Sequence, residues 1–239
     1  MLKKTILVLV LLTFVFAGAV QADNHVLTVG ATPVPHSEIL DFIRDEADKD
    51  YQMAAGISED VDADDTIWQL TRARLPWLIL ALFGGFVAVT VAGQFESALT
   101  NYGYLFFFTP LIAAMAGNVG VQSSAIIVQS IAKGTLTGSV WKRLLKEVGL
   151  NILNGVFLAI LLFLGAHFLL GRDYLVAFTI SLALISVIII ASLIGTFVPI
   201  MLDRYKIDPA LATGPFITTS NDIFGLLIFF GIAKYILGF

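Results

Sequence analysis

No cysteine occurs among the 239 residues, and only 13% of them are charged. The first absence excludes disulfides, thiolate catalysis and cysteine-ligated metal centres. The second, with 58% hydrophobic residues and a mean hydropathy of +0.90, excludes an ordinary soluble domain. Histidine is also scarce, with three in the whole chain. No His-Glu-x-x-His or Gly-x-Ser-x-Gly pattern occurs, and no second acid accompanies the one Asp of the last apolar run. An intramembrane protease would need one of these arrangements, so an enzyme is not expected. Charge is unevenly spread too. Twelve of the 18 acidic residues fall within residues 23–65, and from residue 66 onward six acids face ten Lys and Arg. A nucleic-acid-binding surface is not indicated.

What is present is apolar sequence in runs of about 20 residues, the length that spans a hydrocarbon core of about 30 Å. Five crossings are expected, at roughly residues 77–94, 104–132, 148–170, 174–202 and 210–237. The fold class is therefore an all-α membrane protein, a five-transmembrane-helix bundle. Gly171-Arg172-Asp173 is so short a link that the third and fourth crossings should be antiparallel neighbours. Asp208-Pro209 is expected to open the fifth, Asp as N-cap and Pro at the first helical position. Pro110 and Gly117-Asn118-Val119-Gly120 predict a kinked or broken second helix, tolerated where the break is buried or lines a wet cavity.

Ahead of this pore-like region of residues 74–239 lie two other segments. Residues 1–22 read as a signal peptide, with Lys3 and Lys4, an apolar run and small residues ending at Ala22. An uncleaved anchor helix is the alternative. Residues 23–73 form an acidic polar segment, in which Ser37 could cap a short amphipathic linker helix running to about residue 55. Loop charge sets orientation. Arg72 and Arg74, then Lys133, Lys142, Arg143 and Lys146, then Arg204 and Lys206, place the segment before the first crossing in the cytoplasm. A working signal peptide would place residues 23–66 outside, and the two readings conflict.

Asp222 is the residue that demands a function. A carboxylate at the centre of a membrane helix costs on the order of 2.5–3.5 kcal/mol on insertion scales. It follows Thr218, Thr219, Ser220 and Asn221, and the spans offer almost no basic partner. Asn118, Gln122, Ser123 and Ser124 form a second polar group in the second crossing. Such residues can be interhelical glue. With Gly117 and Gly120 beside them, they can equally line a pore through freed carbonyls, as Pro199 and Pro215 could in the later spans. Oxygen ligands without His or Cys suit a hard cation, and Mg²⁺ is held by one or two carboxylates with several waters retained. A twofold axis would supply the second carboxylate from the same sequence. His167 reads as packed or hydrogen-bonded, not as a ligand.

Those residues resemble the MgtE family of magnesium channels and transporters. The similarity covers about residues 45–239 and runs from Glu46-Ala47-Asp48-Lys49-Asp50 and Met53-Ala54-Ala55-Gly56 through Arg74-Leu75-Pro76-Trp77, Pro110, Gly117 to Gln122 and Lys146-Glu147. It ends with Pro199, Asp208-Pro209-Ala210, Gly214-Pro215 and Thr218-Thr219 to Asp222. The resemblance implies a homodimer of five-helix subunits in the inner (plasma) membrane, surrounded by membrane lipid. Mg²⁺ is then the transported ion, with Co²⁺ and Mn²⁺ as alternatives. Asp222 is implied as the metal site, with Asn118, Gly117, Gly120, Gln122, Pro215, Thr218 and Thr219 lining the pore. Ala116 departs from the family, where a further glycine is usual. The acidic helical and paired CBS regulatory domains of bacterial relatives are expected to be missing. Residues 1–44 instead resemble the start of an NlpA-type methionine-binding protein, through Val29-Gly30-Ala31-Thr32-Pro33-Val34-Pro35-His36. The chain then reads as a fusion, for which an inactive product is the second outcome.

Overall fold

A computed structural model describes residues 45, 48, 49, 51–136, 138–212 and 214–239, all within one compact unit. The signal-like segment, the NlpA-like stretch and the Ser37 cap lie outside the described residues. Of the linker helix, residues 45, 48, 49 and 51–54 are helical.

Thr66 starts the first long helix, α1 (Ile67–Gly93), through a capping box with Gln69. Its amide donates to Gln69 Oε1 at 3.0 Å, and Gln69 N–H donates back to Thr66 Oγ1 at 3.4 Å. The helix thus begins ten residues before the expected crossing at 77 and runs through Pro76. Hydropathy marks where a helix enters hydrocarbon, whereas the cap marks where the helix begins. The link after α1 is itself helical: α2 (Ser97–Tyr102) leads into a 3₁₀ segment, Gly103–Phe108, and then α3 (Thr109–Ala132).

The second crossing is broken, but not where the glycines suggested. The 3₁₀ segment supplies the break, and Pro110 sits at the start of α3, where its missing N–H costs nothing. Gly117 to Gln122 are α-helical throughout, so the expected unwinding there is corrected. Those glycines serve close approach. A Cβ on Gly120 would lie 1.8 Å from Asn221 Nδ2, and one on Gly195 would lie 2.3 Å from the Gly120 carbonyl oxygen.

Helix α4 (Val140–Leu164) ends in a π-helical turn, Gly165–Leu169, and α5 (Tyr174–Arg204) returns beside it as the expected antiparallel neighbour. His167 is tied down in this turn. Its Nδ1 lies 2.9 Å from the Arg172 carbonyl, which can only accept, so Nδ1 carries the proton. Asp208 does cap, but its carboxylate accepts from Ala210 N–H at 2.8 Å to open a 3₁₀ turn, Pro209–Ala212. The last helix, α6 (Pro215–Leu237), starts afresh at Pro215. Gly214, at φ 54°, makes that restart, and a Cβ there would lie 2.3 Å from the Ala54 carbonyl oxygen.

Among the described residues, five helices are thus long and apolar enough to cross a membrane, and the chain is a multi-pass membrane protein. Helix α5 is the centre, packed against α3, α4 and α6, with Ile180, Ala183, Leu184, Val187, Ile188 and Ala191 buried along it. Helix α1 rests mainly on α6 and buries only Ala73. Because Gly195 faces a backbone carbonyl that has no rotamer to move aside, Gly195→Ala should lower stability by about 1–3 kcal/mol, the usual range for overpacking. Gly149, with open space around it, provides the control. Thermal melts of the purified proteins in detergent should show a clear loss for Gly195→Ala and none for Gly149→Ala.

Candidate functional site

The site grows from the antiparallel seam of α3 and α6. Asn221 is buried at 1% exposure and donates from Nδ2 to the Ala116 carbonyl at 3.2 Å. Gly120 lies beneath Asn221 and Ile217, Gly117 packs on Thr218, and Gly225 packs on Ala116. Small residues on α3 therefore let a polar side chain of α6 reach main chain on its neighbour, the use that membrane helices make of glycine.

That bond fixes the rotation of α6. Asp222, one residue on, points about 100° around the helix from Asn221. It shares a face with Thr218, one turn below. It is half-buried, and no described residue hydrogen-bonds or ion-pairs with it. Lys234, a basic residue on the same helix, is twelve residues away, about 18 Å at 1.5 Å per residue. Asp222 lies about a third of the way along α6, nearer its start than the midway position expected, because the helix opens at Pro215.

The other sequence-derived candidates divide. Gly117, Gly120 and Thr218 meet at the seam. Thr218 Oγ1 donates into its own helix, to the carbonyls of Gly214 at 3.2 Å and Pro215 at 3.1 Å. Thr219 turns the other way, its methyl against Gly84 of α1. Asn118 and Gln122 are exposed, on the face of α3 opposite buried Ala116, Gly120, Ser123 and Ile127. Ala125 and Gln129 continue the same uncovered stripe at heptad-like spacing. Pro215 stands at the first position of α6 and frees no carbonyl within it, which corrects that expectation. Pro199 does lie inside α5, where its missing N–H leaves the Gly195 carbonyl without its usual helical donor.

Sequence reasoning missed three contributors. Asn221 was passed over as part of a polar run, although its place beside Asp222 was a usable signal. Thr196 is fully buried next to Gly195, and its Oγ1, like Asn221 Oδ1, has no hydrogen-bond partner among the described residues. Glu147, on α4, accepts from Ser123 Oγ of α3 at 2.5 Å and from Asn151 Nδ2 at 3.1 Å. Ser123 and Asn151 are both 4% exposed. This carboxylate is satisfied where Asp222 is not, and Ser123 is thereby spent on helix attachment. No group of three or more His, Cys, Asp or Glu that could hold a metal occurs among the described residues. One chain thus offers a single carboxylate, hydroxyls and amides, a donor set suited to a cation that keeps its water.

Residues 109–232 match the MgtE family, described as a divalent cation transporter. The chain is 37% identical over 215 residues to the magnesium transporter MgtE of Bacillus subtilis, covering 90% of this chain and 47% of that protein. It is 33% identical over 224 residues to the magnesium transporter MgtE of Enterococcus faecalis, covering 92% and 48%. The magnesium transporter MgtE of Thermus thermophilus is 31% identical over 222 residues, covering 90% and 48%. The chain spans about half the length of these curated relatives. With the family matched across the seam of α3 and α6, the chain belongs to the MgtE family of divalent cation transporters.

Proposed function

We propose that two copies of this chain form a homodimeric Mg²⁺ pore in the inner membrane, with Asp222 of each copy holding the hydrated ion. The observation that carries this reading is the uncovered polar surface of one membrane-spanning chain. Asn118, Gln122 and half-buried Asp222 have no covering partner among the described residues. Amides and a carboxylate turned toward lipid would each be left without hydrogen bonds. A second copy related by a twofold axis gives those groups a wet, shared interior in place of hydrocarbon.

The chemistry then follows from charge and water. Two Asp222 carboxylates face each other across the axis and oppose the +2 charge of the ion. Mg²⁺ dehydrates reluctantly, so the carboxylates engage it through its retained waters. Asn118 and Gln122 offer amide oxygens and N–H groups to the same waters, orienting the ion without stripping it. Gly117 and Gly120 keep α3 against α6, and Thr218 shapes the wall below Asp222. Pro215 fixes where that wall begins. No bond is made or broken, so the protein acts as a conduit and not as an enzyme. The three relatives are named magnesium transporters, which supports Mg²⁺ over Co²⁺ or Mn²⁺ as the cargo.

In liposomes carrying equal amounts of protein, Asp222→Ala should reduce Mg²⁺ flux at least about tenfold, equivalent to about 1.4 kcal/mol of lost ion stabilisation. Parallel Co²⁺ and Mn²⁺ fluxes rank the cargo, and unchanged flux in the variant would reject the site. Correct insertion of the unaltered chain with no cation flux would instead favour an inactive product. The dimer is tested separately. The chain has no cysteine of its own, so Gln122→Cys introduces one thiol per copy. A short bis-thiol reagent should join two Gln122→Cys chains in native membranes. Val156→Cys, on the exposed face of α4, should remain monomeric on a denaturing gel.

A further inference from the structure

Away from the α3–α6 seam, a cavity of about 420 Å³ opens between the start of α4 and the end of α5. Its walls are Trp141, Leu144 and Phe197, and its polar rim is Ser139 and Arg204. We propose that this cavity binds the headgroup of an anionic phospholipid, with Arg204 and Ser139 on the phosphate and the three apolar side chains against the glycerol and upper acyl chains.

Four observations converge on that ligand. Arg204 is exposed, and no described carboxylate pairs with it. Neighbouring Asp203 projects about 100° away around α5 and does not line the cavity. Ser139 sits at the N-cap position of α4 yet makes no capping bond from its side chain, so its hydroxyl is available as a donor. Trp141 is 72% exposed and Phe197 45% exposed, which gives the cavity an apolar wall open to its surroundings. Finally, the cavity lies at the end of the bundle where Lys133, Lys142, Arg143 and Lys146 gather, the end that loop charge assigns to the cytoplasm. Basic pockets between crossing helices on that side suit acidic headgroups. A free phosphate ion would use Arg204 and Ser139 but has no part that matches Trp141, Leu144 or Phe197. A zwitterionic lipid would match the apolar wall but would bring its own cation toward Arg204.

Trp141 reports occupancy directly. In the full chain with Trp68→Phe and Trp77→Phe, Trp141 is the remaining tryptophan. Brominated phosphatidylglycerol in mixed micelles should quench it about fivefold more effectively than brominated phosphatidylcholine, the preference expected of one basic contact at a membrane surface. Arg204→Ala should erase the preference while leaving the melting temperature unchanged. Lys142→Ala removes the same charge from an exposed position outside the cavity and should keep it. Native mass spectra should likewise retain phosphatidylglycerol on the unaltered chain and lose it with Arg204→Ala. Equal quenching by the two lipids would overturn the proposal, as would equal losses in the Arg204 and Lys142 variants. Inorganic phosphate displacing the brominated phosphatidylglycerol at matched concentration would assign the site to a free anion and overturn the lipid assignment.

Discussion

Within hydrocarbon there is no water to complete a polar group's hydrogen bonds, so each polar side chain must find a partner in the protein. The contact on which this chain's arrangement depends is the one Asn221 makes with the Ala116 carbonyl, 3.2 Å across the seam of α3 and α6. It is possible only because Gly120 leaves room for the amide. By burying Asn221 it sets the angle of α6, and that angle decides where Asp222 points. The adjacent carboxylate is thereby turned out of the packed interior. The proposed site residue, with no partner among the described residues, is thus placed by a neighbour that has one.

Several other polar groups of the crossing helices show how ordinary satisfaction looks in the same chain. Thr179 donates to the Leu175 carbonyl at 2.7 Å and Ser181 to the Ala177 carbonyl at 2.8 Å, each closing onto its own helix. Ser192 does the same toward Ile189 at 2.8 Å. Ser123, Glu147 and Asn151 form a tie between α3 and α4 in which the carboxylate is met from both helices. Hydroxyls and even a carboxylate are therefore accommodated between these helices when a partner is within reach. Against that background the lack of any partner for Asp222 among the described residues carries information, and polarity alone does not.

The number of crossings was legible because an apolar run reports the solvent directly, and so was the α4–α5 hairpin, since three residues allow no other path. Glycine and proline were read less well. Pro110 and Pro215 have the same composition signal whether they break a helix or begin one, and both begin one here. Gly117 and Gly120 suggested a loosened backbone, yet a glycine next to a packed neighbour is required for the opposite reason, tight contact. Deciding between these needs the partner surface, which lies about a hundred residues away at Ile217 and Asn221. Asp222, the proposed metal residue, could be singled out from cost alone. Its orienting neighbour Asn221, and the hydroxyl of Thr196, could not, because a one-dimensional run of Thr, Ser and Asn does not say which member faces in.

The position of α5 explains how an uncovered front can coexist with a stable bundle. Buried by α3, α4 and α6, it supplies a backing against which the α3–α6 pair is held, with Gly195 pressed onto the Gly120 main chain. Close main-chain contact of this kind has no soft side chains to absorb displacement, so α3 and α6 keep their mutual register when either is pushed. The stripe of Asn118 and Gln122 lies on the side of α3 away from this backing. Covering it therefore requires no rearrangement behind it, and a second copy can approach a surface already shaped. The same reasoning separates the middle of α5 from its last turn. Its middle is locked by small residues, whereas Arg204 at its last turn is free to meet the membrane surface, so binding there need not disturb the seam.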